Sequence, residues 1–383
     1  MAPGPDCDTP HPTHPFTEQE RLSWLRLIRS RRVGPVTFHR LLAEHGTAQA
    51  ALAALPDVAR AAGVNDYAAC PVEVALHEMR AARAAGARMV CPGEAAYPEH
   101  LAGLPDAPPV LWLRGDAALL ARPMVALVGA RNASSLGIRM ARRLAGALGE
   151  AGFVVVSGLA RGIDGEAHSA ALGTGTVAVM AGGVDVIYPV ENGGLAARIA
   201  AEGALLSEQP MGTEPQARHF PLRNRIVSGL ARAVVVVEAA ARSGSLITAK
   251  EAADQGREVL AVPGHPFDAR AAGCNQLIRE GATLVRSAED VIEALGQVPA
   301  PAARAHAALP DGVLPGPVPA RRPLAEIAAL HRKILDRLSP SPVAEDQLIR
   351  DLAVPAHEVA PQLLTLELEG RVLRQPGGLI CRA

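Results

Sequence analysis

Seven short apolar runs, separated by alanine-rich segments with helical spacing, fill the middle of the chain. Most are continuous apolar stretches rather than alternations of apolar and polar residues. Such runs suit strands that are buried on both faces, as in a parallel sheet covered by helices. The chain is therefore predicted to be α/β, with an extended Rossmann-like parallel sheet over residues 91–298. The runs are Val125–Val128, Phe153–Val156, Thr176–Met180, Ala204–Ser207, Ala233–Val237, Glu258–Val262 and Thr283–Val285.

Helical patterns flank this sheet on both sides. Residues 16–90 repeat apolar residues at helical spacing and are predicted to form an all-helical, SAM-like or helix-hairpin-helix-like domain. The segment VGPVTFHRLLAEHG at 33–46 resembles a helix-hairpin-helix, whose turn can hold a DNA phosphate, but a plain helical docking module is the commoner source of this pattern. Residues 324–383 combine three helical stretches with two short strands, which predicts a winged helix.

The remaining segments, and one helix of the winged helix, carry weaker signals. Residues 1–15 lack apolar periodicity and are predicted to be disordered, while seven prolines in 299–323 predict a semi-extended linker. The third helix of the winged helix, at 356–369, has three glutamates and no lysine or arginine. A helix that enters the major groove needs donors to phosphates and base edges. The winged helix is therefore predicted to serve packing or a protein partner.

Bulk composition narrows the possible functions. The formal net charge is -1, so affinity for nucleic acid must come from a local patch. Five scattered cysteines without a Cys-x-x-Cys pair indicate free thiols in a reducing compartment. Cys7, His11 and His14 have ligand-like spacing but lack a fourth ligand, so no metal site is predicted. The chain shows no signal peptide or long apolar span, which predicts a cytoplasmic protein with no membrane partner.

The loop after the first predicted strand has features of an anion site. Gly129 lets a ligand approach the backbone, and Arg131 adds a planar, permanently charged donor. Ser134 or Ser135 can cap the next helix and present N–H groups to a phosphate, and Ser134 is the predicted DNA contact. The loop lacks the Gly-x-Gly-x-x-Gly fingerprint, and no acidic residue stands about 20 positions on to hold a ribose. No nicotinamide, flavin or other cofactor is predicted.

Two later loops repeat this composition. Arg161 lies between two glycines, and Asp164 is predicted to cap the following helix and to orient Arg161. Ser243 and Gly244 open another helix, and their N–H groups can form an anion-binding nest. None of these loops offers a nucleophile beside a base or a metal constellation. The chain is therefore predicted to bind an anionic ligand and not to be an enzyme.

A basic cluster surrounds one phenylalanine just before the run at 233–237. Aromatic residues are scarce in this chain (3%), so Phe220 beside several arginines suggests a base-stacking platform next to phosphate ligands. A core phenylalanine beside arginines that cap a neighbouring helix explains the local pattern equally well. A row of loops at one sheet edge suits a long polyanion, and Phe220 favours single-stranded nucleic acid. The cluster comprises Arg218, His219, Phe220, and Arg223, Asn224 and Arg225 at a predicted helix start.

Seven motifs follow one another in consistent order over about residues 104–295. This series resembles the DNA-processing protein A (DprA, or Smf) family, and its length makes the resemblance highly specific. The motifs are GAR at 129–131, SGLARGIDGEAH at 157–168, GGVDVIYP at 182–189, FPLRNRIVSGL at 220–230, SGSLITA at 243–249, GREVLAVPG at 256–264 and GCNQLIREGA at 273–282.

The resemblance implies a protein that binds single-stranded DNA in natural transformation, shields it from nucleases and loads the RecA recombinase onto it. It also implies a homodimer formed through the Rossmann-like domain, without catalytic activity. Arg131 and Phe220 fall where family members contact DNA. Some relatives carry a lysine three residues before the phenylalanine, where this chain has Ala217, so Arg218 is the predicted source of that charge.

Few residues near these loops could read base edges, so binding is predicted to be independent of sequence and sensitive to salt. The alternative is an enzyme, a nucleotide hydrolase of the phosphoribohydrolase kind. Enzymes of that kind carry a Gly-Gly-x-Gly-Thr phosphate loop with a nearby glutamate. Residues 243–245 and Glu238 resemble these two features loosely. Here the double glycine is missing and the glutamate precedes the loop.

Overall fold

In a computed structural model, the chain forms two compact units, Met1–Arg304 and Ala305–Ala383. The segments predicted to be a disordered tail (1–15) and a linker (299–323) lie outside the described residues. The structure describes residues 16–61, 63–296, 333–338, 343–352, 354, 359, 362–363, 366, 371–375 and 379–382.

Four helices open the first unit, and local signals set their ends. The Thr17 hydroxyl accepts the Glu20 N–H at 3.2 Å while the Glu20 carboxylate accepts the Thr17 N–H at 2.8 Å, a capping box that starts the first helix. Gly46, at a φ of 75°, ends the second. Trp24 and Phe38 anchor the shared core. The helices are α1 (Glu18–Arg29), α2 (Pro35–His45), α3 (Ala48–Ala61) and α4 (Val72–Ala84).

A nine-stranded sheet forms the body of this unit, in the order β1-β2-β6-β5-β4-β3-β7-β8-β9. The prediction of a parallel sheet is confirmed for the seven strands β3 to β9. Two antiparallel strands, β1 and β2, extend one edge and were not predicted from a run of their own. The strands are β1 (Arg88–Val90), β2 (Leu111–Gly115), β3 (Met124–Gly129), β4 (Val154–Ser157), β5 (Thr176–Val179), β6 (Ala204–Ser207), β7 (Ala233–Glu238), β8 (Glu258–Ala261) and β9 (Thr283–Leu284).

Both faces of the parallel strands are buried, which explains why their sequences are continuously apolar. Successive side chains of a strand point to opposite faces. Val154 and Val156 accordingly belong to one core cluster, and Val155 belongs to another. The covering helices are α5 (Glu99–Ala102), α6 (Ser135–Glu150), α7 (Ile163–Ala171), α8 (Gly193–Glu202), α9 (His219–Leu230), α10 (Ser245–Asp254), α11 (Ala272–Arg279) and α12 (Ala288–Leu295).

The order of strands reverses between β3 and β7. The chain moves from β3 through β4 and β5 to β6 on one side, and from β7 through β8 to β9 on the other. A reversal of this kind opens a crevice outside the carboxyl ends of the strands, where open α/β sheets bind ligands. The loops after β3, β4, β5 and β7 all leave from that edge. These are the loops in which the sequence places its glycine, serine and arginine residues.

The second unit has a small core and sheet of its own. Its strands lie in the order Val343–Ala344, Leu379–Arg382, Val372–Gln375, and a helix spans Glu345–Leu352. Ile334, Leu348, Val359, Leu363, Leu366 and Ile380 are among the buried members of its core. The predicted third helix at 356–369 lies mostly outside the described residues. Among the described residues, no helix combines the length and apolar character needed to span a membrane.

Candidate nucleic-acid interface

Helix α9 carries the aromatic residue and two polar neighbours on one face. The helix begins at His219, earlier than the predicted start at Arg223. Phe220, Arg223 and Asn224 therefore stand at positions i, i+3 and i+4, which share a helix face. All three line the carboxyl edge of the sheet. Because the helix already includes Phe220, this ring lies on the same helix face as Arg223 and Asn224.

Two adjoining cavities open at that edge, of about 520 and 550 Å³. Arg131, Ala160, Phe220 and Arg223 line both of them, so together the cavities form one depression, here called the groove. Eight of the twelve predicted site residues line it, contributed by four segments of the chain. They are Gly129, Arg131, Arg161, Phe220, Arg223, Asn224, Ser243 and Gly244.

Phe220 stands at the centre of the groove between two other side chains. The Arg131 guanidinium carbon lies 5.1 Å from the ring centroid of Phe220, within cation–π range. The Tyr188 ring meets Phe220 edge-on, with centroids 5.9 Å apart. Tyr188 lies in the motif at 182–189 but was not among the predicted DNA-binding residues. A charged donor and two aromatic rings are thus gathered where an unstacked base and its phosphate could bind.

The Arg223 side chain is buried in the floor of the groove. Its guanidinium packs directly on Gly158, so any side chain at position 158 would displace the guanidinium. Burial lowers the pKa of Arg223, and the charge of Asp164 opposes this change. The Arg223 Nε has no hydrogen-bond partner among the described residues. Arg223 therefore places a buried guanidinium at the floor of the groove, near the Asp164 carboxylate.

Asp164 does not orient Arg161, contrary to the sequence-based prediction. Its carboxylate accepts N–H groups of Gly158 at 3.2 Å and Ala160 at 3.4 Å. Burial raises the pKa of Asp164, and the charge of Arg223 lowers it. Exposed Arg161 instead lies 3.8 Å from Glu191, which also lines the groove. Asp164 shapes the loop and faces Arg223, whereas Arg161 shares its charge with a surface carboxylate.

Gly129 lies where two central strands and a helix meet. A Cβ at this position would come within 2.6 Å of the Ile163 side chain and 2.9 Å of the Glu238 carbonyl oxygen. The pairing of β3 with β7 also shifts register at this residue. Glycine is therefore required by close packing, and the loop that carries Arg131 follows directly.

The N-terminus of α6 is occupied by a carboxylate of the protein itself. Of the two predicted capping residues, Ser134 caps the helix, because its hydroxyl accepts the Gly137 N–H at 3.0 Å. However, the Ser134 N–H donates to the Glu238 carboxylate at 3.0 Å, and the Ser134 hydroxyl donates to the same group. Neither cavity is lined by Ser134. The expectation that Ser134 offers a helix N-terminus to phosphate therefore does not fit the structure.

The loop after β7 forms one wall of the groove. Helix α10 begins at Ser245, as expected from the Ser-Gly-Ser sequence. The hydroxyl oxygens of Ser243 and Ser245 are 2.7 Å apart, and Ile247, 44% exposed, lines the same wall. Ser243 and Gly244 are thus placed beside the groove, at the start of a helix.

Arg225 faces away from the groove. It is two residues beyond Arg223, so the two side chains leave α9 about 200° apart. Its guanidinium is buried and donates to the Asp106 carbonyl oxygen at 2.8 Å and to the Glu208 carboxylate at 2.5 Å. Burial raises the pKa of Glu208, and the charge of Arg225 opposes that rise. The prediction that Arg225 contacts phosphate does not fit this position.

Arg218 and His219 flank the groove without lining either cavity. Arg218 is exposed, and its Nε lies 3.4 Å from His219 Nε2. His219 is buried, and its Nδ1 accepts the Gln216 N–H at 3.2 Å. Burial lowers the pKa of His219, and the neighbouring Arg218 adds to this effect. Arg218 keeps a solvent-facing charge, whereas His219 has a local structural role.

Three protein-family models match the chain in the order of its segments. The model for DNA recombination-mediator protein A matches residues 88–296, more than half of the chain. A DprA-like N-terminal HHH domain matches residues 18–81, and a DprA winged helix domain matches residues 318–378. The three models account for both helical regions and for the sheet that carries the groove.

Individual relatives agree with these models. Protein Smf of Synechocystis sp. is 37% identical over 76% of this chain and 79% of its own length. The X-ray structure of DNA processing protein A from Streptococcus pneumoniae is 34% identical and covers 73% of this chain and 93% of its own, with a TM-score of 0.56. DNA processing protein A from Helicobacter pylori, described for its single-stranded DNA binding mode, is 30% identical over 55% of this chain and 95% of its own, with a TM-score of 0.51. The chain therefore belongs to the DNA-processing protein A (DprA/Smf) family.

Proposed function

We propose that this protein binds single-stranded DNA in the groove, without reading its sequence, as a mediator of DNA recombination. The observation that carries the proposal is the Arg131 guanidinium lying over the Phe220 ring, with Arg223 in the floor beside them. Guanidinium groups neutralise phosphates, and an accessible aromatic ring stacks on any base. The Helicobacter pylori relative, described as binding single-stranded DNA, supports the same ligand.

The shape of the site favours an unpaired strand over a duplex. Phe220 lies partly buried between Arg131 and Tyr188, so only a base that has left its stack can reach the ring. Arginine and aromatic side chains hold backbone and base faces, and neither pattern distinguishes one base from another. Arg131, Arg161, Arg218 and Arg223 are the proposed phosphate ligands, with Gly129, Asn224, Ser243 and Gly244 alongside.

The biological role proposed for this binding is DNA processing during natural transformation. In that role the protein protects incoming single strands in the cytoplasm and loads RecA recombinase onto them, acting as a homodimer through its Rossmann-like domain. The family description as a recombination mediator supports this role. Mixing the protein with RecA and DNA coated with a single-strand-binding protein would test it, because a loader speeds filament formation.

Catalysis is not part of the proposal. In the competing interpretation, Glu238 would serve a nucleotide hydrolase beside the Ser243 loop. In the structure, its carboxylate is buried and holds the N-terminus of α6 through Ser134. Incubation with nucleoside monophosphates should therefore release no free base, and release of free base would favour the hydrolase.

Replacement of Arg131 by alanine tests the groove directly. Affinity for an oligo-dT strand should fall, and the slope of log K against log salt should flatten by roughly 0.7 for each phosphate that the variant no longer neutralises. Arg60→Ala is the matched control, because Arg60 is an exposed arginine paired with Asp57 on α3, in the helical domain. Titrations at several salt concentrations measure both quantities. Equal slopes for Arg131→Ala and the wild type would exclude Arg131 as a phosphate ligand.

A comparison of strands tests the choice of ligand. Oligo-dT and a duplex of the same length should differ clearly in affinity, with the single strand bound more tightly. A mixed-sequence single strand should bind about as well as oligo-dT. Equal binding of single and double strands would contradict the proposed role of Phe220.

A further inference from the structure

A second aromatic ring projects from the carboxyl edge of the sheet. Phe267, in the loop after β8, is 94% exposed, although the chain has only five phenylalanines. The His265 ring lies beside it, with centroids 5.6 Å apart and planes tilted by 35°. Full exposure of so large an apolar side chain has a cost in water. A ligand that covers the ring would recover that cost.

Hydrogen bonds brace the loop that carries this ring. The Asp268 N–H donates to the His265 carbonyl oxygen and the Ala271 N–H to the Asp268 carbonyl oxygen, both at 2.9 Å. The Asn275 side chain holds the Gly264 backbone from both sides, accepting its N–H at 3.1 Å and donating to its carbonyl oxygen at 3.0 Å. The two consecutive turns and the hydrogen bonds of Asn275 hold this loop in one conformation with Phe267 exposed. Such prior ordering lowers the entropic cost of binding.

This loop adjoins one wall of the groove. Strand β8 lies next to β7 and parallel to it, so the two strands are about 4.8 Å apart and their carboxyl ends share an edge. At the end of the β8 loop, the Gly273 N–H donates to the Ala239 carbonyl oxygen at 2.8 Å. Ala239 begins the β7 loop, whose residues Ser243 and Gly244 line the groove. The surface therefore continues from the groove across this loop to the β8 loop.

The charges on this part of the surface suit a polyanion. Arg242 lies exposed in the β7 loop, and Arg270 lies exposed three residues after Phe267. The nearby Asp268 carboxylate accepts a hydrogen bond from the backbone N–H of Arg270 at 2.9 Å, which satisfies one of its oxygens. An exposed aromatic ring and exposed arginines on neighbouring loops are the combination that binds single strands without sequence preference.

We propose that Phe267 is a second base-stacking platform, on which a DNA strand leaving the groove across Ser243 and Gly244 stacks a further base. This inference rests on the proposed function, because it extends the same ligand beyond Phe220. It commits to single-stranded DNA as the occupant of the ring. The two platforms lie at different points along the strand, so a short oligonucleotide reaches only one of them.

An oligonucleotide length series tests this inference. Affinities are measured for oligo-dT strands from about 4 to about 16 nucleotides, the range of site sizes known for small single-strand binders. Phe220→Ala should weaken binding at every length. Phe267→Ala should leave the shortest strands unaffected and weaken the longer ones by about fivefold or more, as expected when one base no longer stacks on an aromatic ring. Phe267→Trp should restore the affinity for long strands.

Two further measurements sharpen the test. A fluorescent 2-aminopurine placed at successive positions of the strand should be quenched at two separate places, and Phe267→Ala should abolish only the one nearer the end of the strand. Val74→Ala is the matched control, because Val74 is 52% exposed on α4, within the helical domain. It should change neither affinity nor quenching.

The outcomes separate the two proposals. If the wild type binds no single strand at any length, the proposed function fails and the second platform with it. If Phe220→Ala weakens binding but Phe267→Ala matches the wild type at all lengths, only the second platform is overturned. A change of oligomeric state in Phe267→Ala, without a length-dependent loss of affinity, would overturn it in favour of a protein contact.

Discussion

The Phe220 ring is held in place by the side chains around it. Arg131 lies over the ring and Tyr188 meets it edge-on, so the ring is restrained before any base arrives. Restraint of this kind reduces the ordering cost of binding. The charge that would hold the phosphate is part of the same arrangement. At the scale of residues, the proposed site therefore depends on a few side chains in mutual contact.

Replacement of Phe220 by alanine should cost about 1–3 kcal/mol in affinity for oligo-dT, the usual range for loss of one base stack. Fluorescence anisotropy at constant salt measures this loss. Phe220→Trp provides the control, because it keeps an aromatic face and should retain most of the affinity. Unchanged affinity in Phe220→Ala, with an unchanged melting temperature, would assign Phe220 no part in binding.

The side chains of helix α9 that line the groove and those that hold the helix to the fold lie on different faces of the helix. Phe220, Arg223 and Asn224 line the groove, whereas Arg225 is buried against Asp106 and Glu208. A buried guanidinium that keeps its partners costs little, but a buried carboxylate that loses its partner is costly. One helix thus presents one arginine to the ligand and uses another to attach itself to the fold.

Replacement of Arg225 by alanine should mainly reduce stability. It leaves the largely buried Glu208 carboxylate without the guanidinium that donates to it, which should lower the free energy of unfolding by about 3–5 kcal/mol. Urea denaturation measures the change. Arg60→Ala, which breaks an exposed pair with Asp57, should cost less than about 1 kcal/mol. An equally small effect of Arg225→Ala would contradict the buried pairing.

A buried histidine joins α7 to β5 and makes the fold sensitive to acid. His168 Nε2 accepts the Leu159 N–H at 3.3 Å. Its Nδ1 lies 2.7 Å from the Thr176 hydroxyl, which itself donates to the Val155 carbonyl oxygen at 2.8 Å. The neutral ring with its proton on Nδ1 satisfies every partner. Burial, helped by the charge of Arg223, lowers the pKa of His168 from 6.5 to about 3.

The free energy of unfolding should therefore fall as the pH drops below about 6.5. Between that value and a pKa of about 3 for native His168, the unfolded chain binds a proton that the native protein does not. The loss should approach about 1.4 kcal/mol per pH unit within this interval. Urea denaturation from pH 7 to pH 4 measures it, and His168→Gln should flatten the dependence. Parallel pH profiles for the variant and the wild type would exclude His168 as the cause.

The whole molecule consists of two units with separate cores. The groove belongs entirely to the first unit, which includes the helical domain and the sheet. The second unit contains a small sheet and a helix, and its segment 356–369 has three glutamates and no lysine or arginine. Affinity for single strands should therefore reside in the first unit.

Removal of residues 324–383 should leave the affinity for oligo-dT within about twofold of the full chain, because the groove keeps all its phosphate ligands. Binding titrations of both proteins at the same salt concentration measure this. Circular dichroism melting provides the folding control. A large loss of affinity in a folded truncated protein would show that the winged helix contacts DNA.

Much of the fold follows from local sequence patterns. Strand β6 occupies Ala204–Ser207, the span predicted from its apolar run. The other parallel strands agree with their runs to within a residue or two. A strand that is buried on both faces requires continuous apolar residues, and a loop at a crowded strand end requires glycine. Each requirement produces a local pattern that can be recognised in the sequence. Strand β1 escaped prediction because its three residues are too short to form a pattern.

The sequence by itself determined the sheet, the loops at its edge and the presence of arginines around one phenylalanine. Only the tertiary structure decided which of those groups are available to a ligand. The Arg225 guanidinium pairs with the carboxylate of Asp106, 119 positions away, and the Ser134 N–H with that of Glu238, 104 positions away. The availability of a charge depends on whether a distant segment brings a carboxylate to it. Such pairing is set by the packing of the whole chain, and no local pattern of residues encodes it.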